Sequence, residues 1–395
     1  MTTRTQDEMH GLGANERALL ERIRWAPARR LAVRIVRAKM RVQFAGWLQY
    51  LIPIPIIVLL SLLSGISWLL GVAWLTAILL TATALFLLVV VFDIITVKWK
   101  IRLPESRPSR NDHPDPFDLF RARRSCRSFQ TRLMSDDDRT ELLDSVRTQL
   151  DLPTMGGAPL RLEYIAAPLT VWPVVNASEF LVAVVPKAYD RSAVIDVGHT
   201  LQRVVIDATG MGLGTCWIGP GADYASVSEH LGDRFDMEAD QIICVCAVGY
   251  RSRYVPLFIR QFNRQMKRRR TLPELFFSDF GLEHPIDVGA RPFDSFGRTF
   301  EACQWAPSSY NGQTTRAIVA TDLNDVSAVH FLATTASRYY APVALGVWCA
   351  NWELGCEALG FKGDFVLAPP ESDAGRLPRH DVTWVPRVVP GGHST

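Results

Sequence analysis

The stretch Trp305-Ala-Pro-Ser-Ser-Tyr-Asn-Gly-Gln313 decides how the rest of the sequence is interpreted. A helical pattern from Phe296 to Cys303 leads into it and breaks at Pro307, and the residues that follow carry two hydroxyls, a phenol, two amides and a glycine. This composition predicts a tight turn rich in neutral hydrogen-bonding groups. Such a turn suits a polar, planar, uncharged ligand. It also fits an ordinary capped helix end, so the rest of the chain must decide between the two.

A long uncharged segment dominates the first quarter of the 395-residue chain, which is otherwise of ordinary composition, with 48% hydrophobic and 21% charged residues. No Asp, Glu, Lys or Arg occurs from Val42 to Phe92. Because one bilayer crossing needs ~20 residues, this run predicts two transmembrane helices. We place them at Phe44–Leu63 and Trp68–Phe92, joined by a small-residue turn at Ser64-Gly-Ile-Ser67. A signal peptide is excluded, since the apolar run starts too late and is too long.

Two prolines, Pro53 and Pro55, lie in the first of these helices and would either bend it or reduce it to a re-entrant segment. Basic residues flank the apolar run on both sides, so the positive-inside rule places both ends in the cytoplasm. The flanking residues are Arg22, Arg24, Arg29, Arg30, Arg34, Arg37, Lys39 and Arg41 before the run and Lys98, Lys100, Arg102, Arg107 and Arg110 after it.

The chain is accordingly divided into a basic cytoplasmic N-terminal segment (1–41), a two-helix transmembrane hairpin (42–97) and a linker rich in proline and serine (98–116). The predicted location is the cell (inner) membrane, with the catalytic domain in the cytoplasm. Because the basic excess lies beside the membrane and the net charge is only +3, we expect a lipid bilayer as partner and no nucleic acid.

Several common classes of site lack their sequence signatures. The seven cysteines form no C-x-x-C pair and the eight histidines form no H-E-x-x-H, so no metal site is predicted. No G-x-S-x-G or G-x-x-x-x-G-K-[ST] motif occurs either. Cys244 and Cys246 lie two apart in an apolar run, which predicts buried residues on one face of a strand.

The globular part begins near Asp118, and a short basic segment follows. If Arg123-Arg-Ser-Cys-Arg127 is extended, then Arg123, Ser125 and Arg127 lie on one side. Two guanidinium groups and a hydroxyl would then converge, which suits a phosphate or a carbonyl-rich group. Additional positive charge beside the membrane is an equally open interpretation.

Regular elements follow in a mixed order. Ser135 and the three aspartates after it predict a capped helix. A stripe of apolar residues predicts a helix over Ile195–Thr209. The glycines of Gly212-Leu-Gly214 close this helix instead of opening one, which argues against a Rossmann motif and favours a helix cap with a loop that a ligand can approach closely. The predicted strands are Arg161–Ala167, Glu179–Val185 and Gln241–Val248.

The last third of the chain resembles the middle. Gly198 and Gly212 bracket one helical segment, and Gly346 and Gly360 bracket another with the same G-x13-G spacing. This repetition predicts two copies of one α+β unit, although two glycine-capped helices could share the spacing by coincidence. The two copies differ in sequence. The first copy has Pro153-Thr-Met-Gly-Gly157 at the position that should match the 305–313 stretch. The second copy lacks the Arg-x-Ser-x-Arg pattern in the corresponding region, around Gly289-Ala-Arg-Pro-Phe293.

Three motifs resemble the flavin-dependent nitroreductase family. Arg123-Arg-Ser-Cys-Arg-Ser-Phe129 resembles its R-R-S-x-R-x-F opening, Gly212-Leu-Gly-Thr-Cys-Trp-Ile218 its G-L-G-T-x-W-I loop, and Ala306 to Gln313 its A-P-S-S-x-N-x-Q segment. The motif order is similar to a subgroup in which two such units are fused in one chain. The resemblance implies an α+β fold of two tandem half-units, 117–279 and 280–395, that form a pseudo-dimer after the two transmembrane helices.

The resemblance also implies one composite FMN site, because in that family two subunits build each site. A late basic residue of the first unit, Arg268 or Arg270, would reach the FMN phosphate. The other implied cofactor-binding residues are Arg123, Ser125, Arg127, Gly212, Leu213 and Gly214 from the first unit and Pro307, Ser308, Ser309 and Asn311 from the second.

The implied function is a membrane-anchored oxidoreductase that passes electrons from NADH or NADPH through FMN to a nitroaromatic, a quinone or a conjugated carbonyl acceptor. The cofactor would carry the redox chemistry, so no side chain need act as a general acid or base. Two alternatives stay open, namely a flavin-dependent dehydrogenase of a specialised metabolite and a flavin-binding membrane protein without turnover. No oligomeric state beyond the pseudo-dimer is predicted.

Overall fold

A computed structural model describes residues 23, 25–110, 115–169, 171–219, 222–323, 325–369 and 376–387. Residues 1–22 and 24 of the predicted basic segment lie outside the described residues. The part of that segment that is described forms helix α1, Ala26–Phe44, whose sequence contains five arginines, one lysine and no acidic residue.

Two long apolar helices follow, as predicted. The short helix α2 (Leu48–Leu51) leads into α3 (Ile54–Leu69), and α4 (Ala73–Asp93) continues into a π-helical turn at Ile94–Lys98. By length and composition, the segments 48–69 and 73–98 could each cross a membrane, and only 17% and 11% of their most apolar windows are buried inside the molecule. Such exposed helices are not the core of a water-soluble domain. Their insertion in a membrane stays a prediction.

The turn between these helices differs from the prediction. Helix α3 continues through Ser64 and Ser67, and the chain reverses at Gly71, whose φ is +72°. Both serines are 3% exposed, and the Ser67 hydroxyl accepts a hydrogen bond from Thr76 Oγ1 at 3.0 Å. Small residues let two apolar helices approach closely, so the serines serve helix packing, while glycine takes the left-handed conformation that the turn requires. Pro53 ends the short helix α2 and caps α3.

The first unit places one four-stranded antiparallel sheet among helices. The strands lie in the order β1-β2-β4-β3, and the central strands β2 and β4 are buried almost throughout because helices and loops cover both faces. Its elements are α5 (Pro116–Ala122), α6 (Asp136–Leu150), β1 (Arg161–Ala166), β2 (Glu179–Pro186), α7 (Arg191–Gly210), β3 (Gly214–Ile218), α8 (Tyr224–Leu231), β4 (Asp240–Gly249) and α9 (Leu257–Gln265).

The second unit repeats this arrangement. Its sheet has the order β5-β6-β7-β9-β8, so β6, β7, β8 and β9 follow the same 1-2-4-3 order, with the long helix again between the second and third strands. The α+β fold class is confirmed, and the two sheets are consistent with two repeated half-units. Its elements are β5 (Phe276–Phe277), α10 (Arg298–Gln304), β6 (Thr315–Asp322), β7 (Asp325–Ala333), α11 (Tyr340–Ala358), β8 (Gly363–Leu367) and β9 (Arg379–Pro386).

The boundaries predicted for the linker and the two units stay predictions. Strand β5 lies before the predicted boundary at 279/280 but pairs in parallel with β6, so it belongs to the second sheet.

The long helices α7 and α11 pack against each other and join the units. The contact occurs where glycines remove a side chain, since a Cβ on Gly198 would lie 2.2 Å from the Val343 carbonyl oxygen and one on Gly346 would lie 1.9 Å from the Ile195 carbonyl oxygen. The second glycine of each repeat, Gly212 or Gly360, has a positive φ.

Polar contacts between the units surround this crossing. Gln202 Nε2 donates to Asn351 Oδ1 at 3.0 Å, and both side chains are buried. The Arg191 guanidinium binds the Asp381 carboxylate through two hydrogen bonds of 2.6 and 2.7 Å. These hydrogen bonds give the bonded polar atoms partners, so the apolar side chains around them can pack closely at the contact between the units.

The predicted linker runs along the first unit in extended conformation. The Glu105 carboxylate accepts hydrogen bonds from the Ser252 hydroxyl and from the Arg253 backbone N–H at 2.7 Å. Gln130 Nε2 donates to the Ser106 carbonyl at 2.8 Å. The described part of this segment is therefore docked on the globular part, so the hairpin and the first unit hold a fixed relative position.

Candidate functional site

The first unit supplies the segment that starts at Arg123, directly after α5. The segment is extended as predicted, because Ser125 forms a parallel bridge with Thr215 and the Cys126 N–H donates to the Thr215 carbonyl at 2.8 Å. The side chain of Arg123 is buried, and its Nη1 has no hydrogen-bond partner within the described chain.

Arg127 lies at the other end of this segment. Its Nη1 donates to Asn263 Oδ1 at 2.5 Å, its guanidinium lies 4.9 Å from the centre of the Phe262 ring, and its buried Nε lacks a partner among the described residues. Burial raises the pKa of the Cys216 thiol, while the charges of Arg127 and Arg123 lower it. Both guanidinium groups are therefore close enough to the Cys216 thiol to lower its pKa, and their position on one side of the segment stays a prediction.

The second unit supplies the 305–313 stretch, which folds as a tight turn after α10. Tyr310, Asn311 and Gln313 have φ values of +51°, +55° and +47°. Left-handed conformations are unfavourable for residues other than glycine and persist where surrounding contacts hold them. Here the Ser308 hydroxyl accepts from the Gln313 N–H at 2.9 Å, and Asn311 Nδ2 donates to the Arg268 carbonyl at 2.7 Å.

The two segments meet at Trp305. The Arg124 guanidinium lies 4.5 Å from the centre of its indole ring, and the Arg269 guanidinium lies 5.7 Å from it. Arg269 Nη1 also donates to Asn311 Oδ1 at 2.7 Å and to the Ala306 carbonyl at 3.2 Å. Residues from both units therefore form one cluster.

This cluster carries an excess of positive charge. Burial, together with the charges of Arg269 and Arg124, lowers the pKa of Arg123 to about 9. Burial and Arg124 lower the pKa of Arg269 to about 10. Within the described residues, none of these three arginines forms an ion pair with a carboxylate. Buried cations without counter-charge are unfavourable, and a planar, multi-donor guanidinium group suits a phosphate or carboxylate ligand.

Protein atoms fill the space beside the predicted glycine loop. A Cβ on Gly212 would lie 2.8 Å from the Ser109 carbonyl oxygen of the linker, and one on Gly214 would lie 2.7 Å from Arg251 Cγ. Leu213 is buried in the core of the first unit. The close approach that these glycines permit is thus made by the chain itself, and a cofactor role for the loop stays a prediction.

The basic run at 267–270 contributes a residue that was not predicted. Arg269 enters the cluster, whereas the Arg270 side chain is half exposed and pairs with Glu274 at 3.0 Å, and Arg268 contributes its backbone carbonyl. Four consecutive basic residues have no periodicity that would show which side chain points into the cluster. Arg269 is distinguished from its neighbours only by its hydrogen bond to Asn311.

The other predicted residues of the second unit belong to the turn. Pro307 and Ser308 are half buried beside Trp305, and the Ser309 carbonyl accepts a hydrogen bond from the Gly312 N–H at 2.9 Å. The turn that contains them contacts Arg269 through Asn311 Oδ1 and the Ala306 carbonyl, and Trp305 before it contacts Arg124. Their contact with a cofactor stays a prediction.

The loop at 153–157, which the predicted repeat would match to the 305–313 turn, is held differently. The loop 153–157 is fixed by Asp196, whose carboxylate accepts hydrogen bonds from the backbone N–H groups of Met155 and Gly156, both at 2.9 Å. Asp196 is 1% exposed, and burial raises the pKa of its carboxyl group. A buried acid therefore holds the 153–157 loop, whereas arginines surround the 305–313 turn.

The described residues offer no alternative centre for metal or thiol chemistry. No group of three or more His, Cys, Asp or Glu within them could hold a metal ion. All seven cysteines are free and buried, including Cys244 and Cys246, whose predicted burial is confirmed.

The family described as "Putative TM nitroreductase" matches residues 117–356, a range that spans both units. No curated protein matches the chain. Among solved structures, a "putative nitroreductase" from Thermotoga maritima MSB8 is 15% identical with a TM-score of 0.42, covering 72% of this chain and 97% of its own. A nitroreductase with bound FMN from Bacteroides fragilis NCTC 9343 is 15% identical with a TM-score of 0.30, and the match covers 35% of this chain and 90% of its own. A nitroreductase with bound FMN from Desulfitobacterium hafniense DCB-2 is 16% identical with a TM-score of 0.30, and the match covers 36% of this chain and 93% of its own. Because the family match covers more than half of the sequence, the chain belongs to the nitroreductase family of flavoprotein oxidoreductases.

Proposed function

We propose that the protein is a membrane-anchored FMN-dependent oxidoreductase that passes electrons from NADH or NADPH to a nitroaromatic, quinone or conjugated carbonyl acceptor. One observation carries this proposal. Arg124 and Arg269 contact the 305–313 turn of the second unit, and the neighbouring Arg123, like Arg269, has a buried N–H group without a partner among the described residues.

The residues present fit the phosphate-bearing part of FMN. Arg123 Nη1 and Arg269 Nε are unpartnered donors on two neighbouring arginines, and such donors suit a phosphate. Arg127 Nε is a third unpartnered donor on the same segment as Arg123. Asn311 holds the Arg269 side chain in place through its Oδ1. When bound, FMN supplies the two-electron redox chemistry, and the protein's part is to bind it, orient it and exclude competing reactions.

The test is anaerobic reduction of the full-length chain purified in detergent. We expect a yellow protein whose flavin absorbance is bleached by NADH or NADPH and restored by an added quinone or nitroaromatic. A protein that stays colourless when FMN is added would refute the flavin site. A yellow protein that neither nicotinamide bleaches would instead favour a dehydrogenase of a specialised metabolite or a flavin-binding protein without turnover.

The composite site predicts that substitutions in either unit weaken the same ligand. Arg127→Ala removes a charged donor from the first unit. Asn311→Ala, in the second unit, removes the hydrogen bond that holds the Arg269 side chain. Because a hydrogen bond to a charged group contributes about 1.5–3 kcal/mol, each change should raise the Kd for FMN at least about tenfold. The measurement is quenching of flavin fluorescence on titration of the apoprotein.

The matched control for these variants is Arg147→Ala. Arg147 is 70% exposed on α6 and pairs only with Asp144 among the described residues. It should leave the Kd unchanged. Unaltered FMN affinity in both site variants would contradict a site shared between the units.

The membrane part of the proposal rests on the two exposed apolar helices and their basic flanks. We predict that residue 104 lies in the cytoplasm, since both flanks of the hairpin are basic. A reporter that works only in the cytoplasm should therefore be active when it is fused after Pro104. Paired alkaline phosphatase and green fluorescent protein fusions at that residue distinguish the two sides. Phosphatase activity at Pro104 would overturn the hairpin, and a fusion at Gly71, in the turn, serves as the control with the opposite expectation.

A further inference from the structure

A groove of about 370 Å³ lies where the hairpin meets the globular part. Phe92 and Asp93 from the end of α4 form one wall, and Arg253, Tyr254 and Arg260 form the other, with Leu103 of the linker between them. The groove is separate from the cluster around Trp305, and the proposed electron transfer does not use it.

The groove has a fixed position because the hairpin is docked beside it. The Asp93 Oδ2 accepts a hydrogen bond from the Leu257 N–H, the first residue of α9, at 2.6 Å. Val97, 1% exposed, packs in one cluster with Ile259, which is fully buried. The groove therefore lies at the level where the apolar surface of α4 ends, and that level corresponds to the headgroup layer if the hairpin spans a bilayer.

Basic residues predominate in the wall of the groove that follows β4, and the acidic groups beside the groove are Asp93 and Glu105. From Gln241 to Pro273 the sequence contains eight basic residues and no acidic residue. Arg260 Nη2 lies 3.8 Å from Asp93 Oδ1, a loose contact that leaves its other donors available, and Arg253 donates through one Nη2 to the Pro104 carbonyl at 3.2 Å. Arg264, one helical turn after Arg260, forms no ion pair with any described residue.

An apolar surface adjoins these charges. The side chains of Phe92 and Leu103 are 52% and 70% exposed. Phe92 continues the lipid-facing surface of α4, so the groove joins an apolar wall to a pair of guanidinium groups. This combination matches the boundary between the acyl chain and the phosphate of a lipid.

We infer that this groove binds one anionic phospholipid, with its phosphate between Arg253 and Arg260 and an acyl chain along Phe92 and Leu103. The inference rests on the proposed insertion of the hairpin into a membrane, and it is independent of the redox activity. The occupant is a lipid and not free phosphate, because the apolar wall is continuous with the exposed face of the hairpin.

The test uses the full-length protein in detergent, titrated with phosphatidylglycerol or phosphatidylcholine and analysed by native mass spectrometry. We expect one phosphatidylglycerol to be retained in preference to phosphatidylcholine. Arg253→Gln and Arg260→Gln should each weaken its retention about fivefold, the ratio that corresponds to about 1 kcal/mol per arginine. Arg147→Gln on the distant helix α6 is the matched control and should change nothing.

Three outcomes would overturn the inference. One is equal retention of the two lipids or retention that neither arginine variant changes. Another is displacement of phosphatidylglycerol by millimolar inorganic phosphate, which would identify a site for the free anion. The third is release of the protein from membranes by alkaline carbonate, which would refute the hairpin itself. FMN content, measured on the same samples, should stay that of the wild type, so failure of the lipid site is distinguishable from failure of the flavin site.

Discussion

Replacing Arg123 by methionine is expected to weaken FMN binding strongly and, at the same time, to stabilise the protein without its ligand. Arg123 is 3% exposed, has an unpartnered Nη1 and lies among other arginines. Burial lowers its pKa, which means that folding disfavours its charged form at neutral pH. Methionine, an apolar side chain of similar length, removes the free-energy cost of burying this charge. Replacing buried charged groups by apolar side chains typically stabilises a protein by about 1–4 kcal/mol.

The two effects of Arg123→Met are measured separately. The Kd for FMN should rise on the order of 100-fold, because a buried charge-assisted donor worth up to about 3 kcal/mol is lost. The thermal midpoint of the FMN-free protein should rise by about 5 °C. Arg147→Met, at an exposed position, should change neither quantity. A variant that loses stability while it keeps FMN would show that Arg123 has a structural role and contradict its assignment to the ligand.

Gly346→Ala is expected to disrupt the contact between the two units. The added Cβ would lie 1.9 Å from the Ile195 carbonyl oxygen and 2.8 Å from the His199 backbone nitrogen. Backbone atoms of a packed helix cannot rotate away as a flexible side chain can, so α7 and α11 must separate. We expect a loss of about 3 kcal/mol or more and a thermal midpoint roughly 10 °C lower. Because the proposed site spans both units, FMN should also be lost.

The control for this prediction is Gly210→Ala, on the partner helix α7. A Cβ at that position meets only Leu119 Cδ1 at 3.8 Å, an ordinary contact. Since alanine favours a helix over glycine by up to about 1 kcal/mol, this variant should be neutral or slightly stabilising. Equal effects of the two substitutions would mean that the glycine crossing does not hold the units together.

The regular elements of the first unit were predictable because their apolar patterns are strong. The strand predicted at Glu179–Val185 is found at Glu179–Pro186, and the helix predicted at Ile195–Thr209 is found at Arg191–Gly210. The early start of that helix has a local cause, since the Asp190 side chain caps it by accepting from the Ser192 N–H at 2.9 Å. The cap is visible in the sequence, but it lies before the apolar stripe begins.

The hairpin turn was not predictable from composition. Small polar residues such as Ser64 and Ser67 indicate a turn in a water-soluble protein, but between apolar helices the same residues allow close packing. Gly71, which makes the turn, lies among leucine, valine and alanine with no proline or charged residue nearby. A single glycine in such surroundings is also common inside membrane helices, so the sequence does not distinguish the two roles.

The candidate site was predictable as a pairing of segments and not as a set of contacts. The motifs at Arg123–Arg127 and Trp305–Gln313 indicate two halves of one site, and the structure brings both to Trp305. Which arginine of the 267–270 run points inward depends on the path of the chain after α9, which no local pattern encodes. The linker and Arg251 occupy the space beside the glycine loop. The predicted role of this loop in cofactor binding stays a prediction.

The crossing of α7 and α11 has a further consequence for the behaviour of the protein at low abundance. Two separate subunits joined by the same contact would dissociate on dilution, because their association depends on concentration. Here both helices belong to one chain, so each unit experiences a constant effective concentration of the other. A site that needs both units should therefore stay assembled even when only a few copies are present in a cell, and its stability should not change with the amount of protein synthesised.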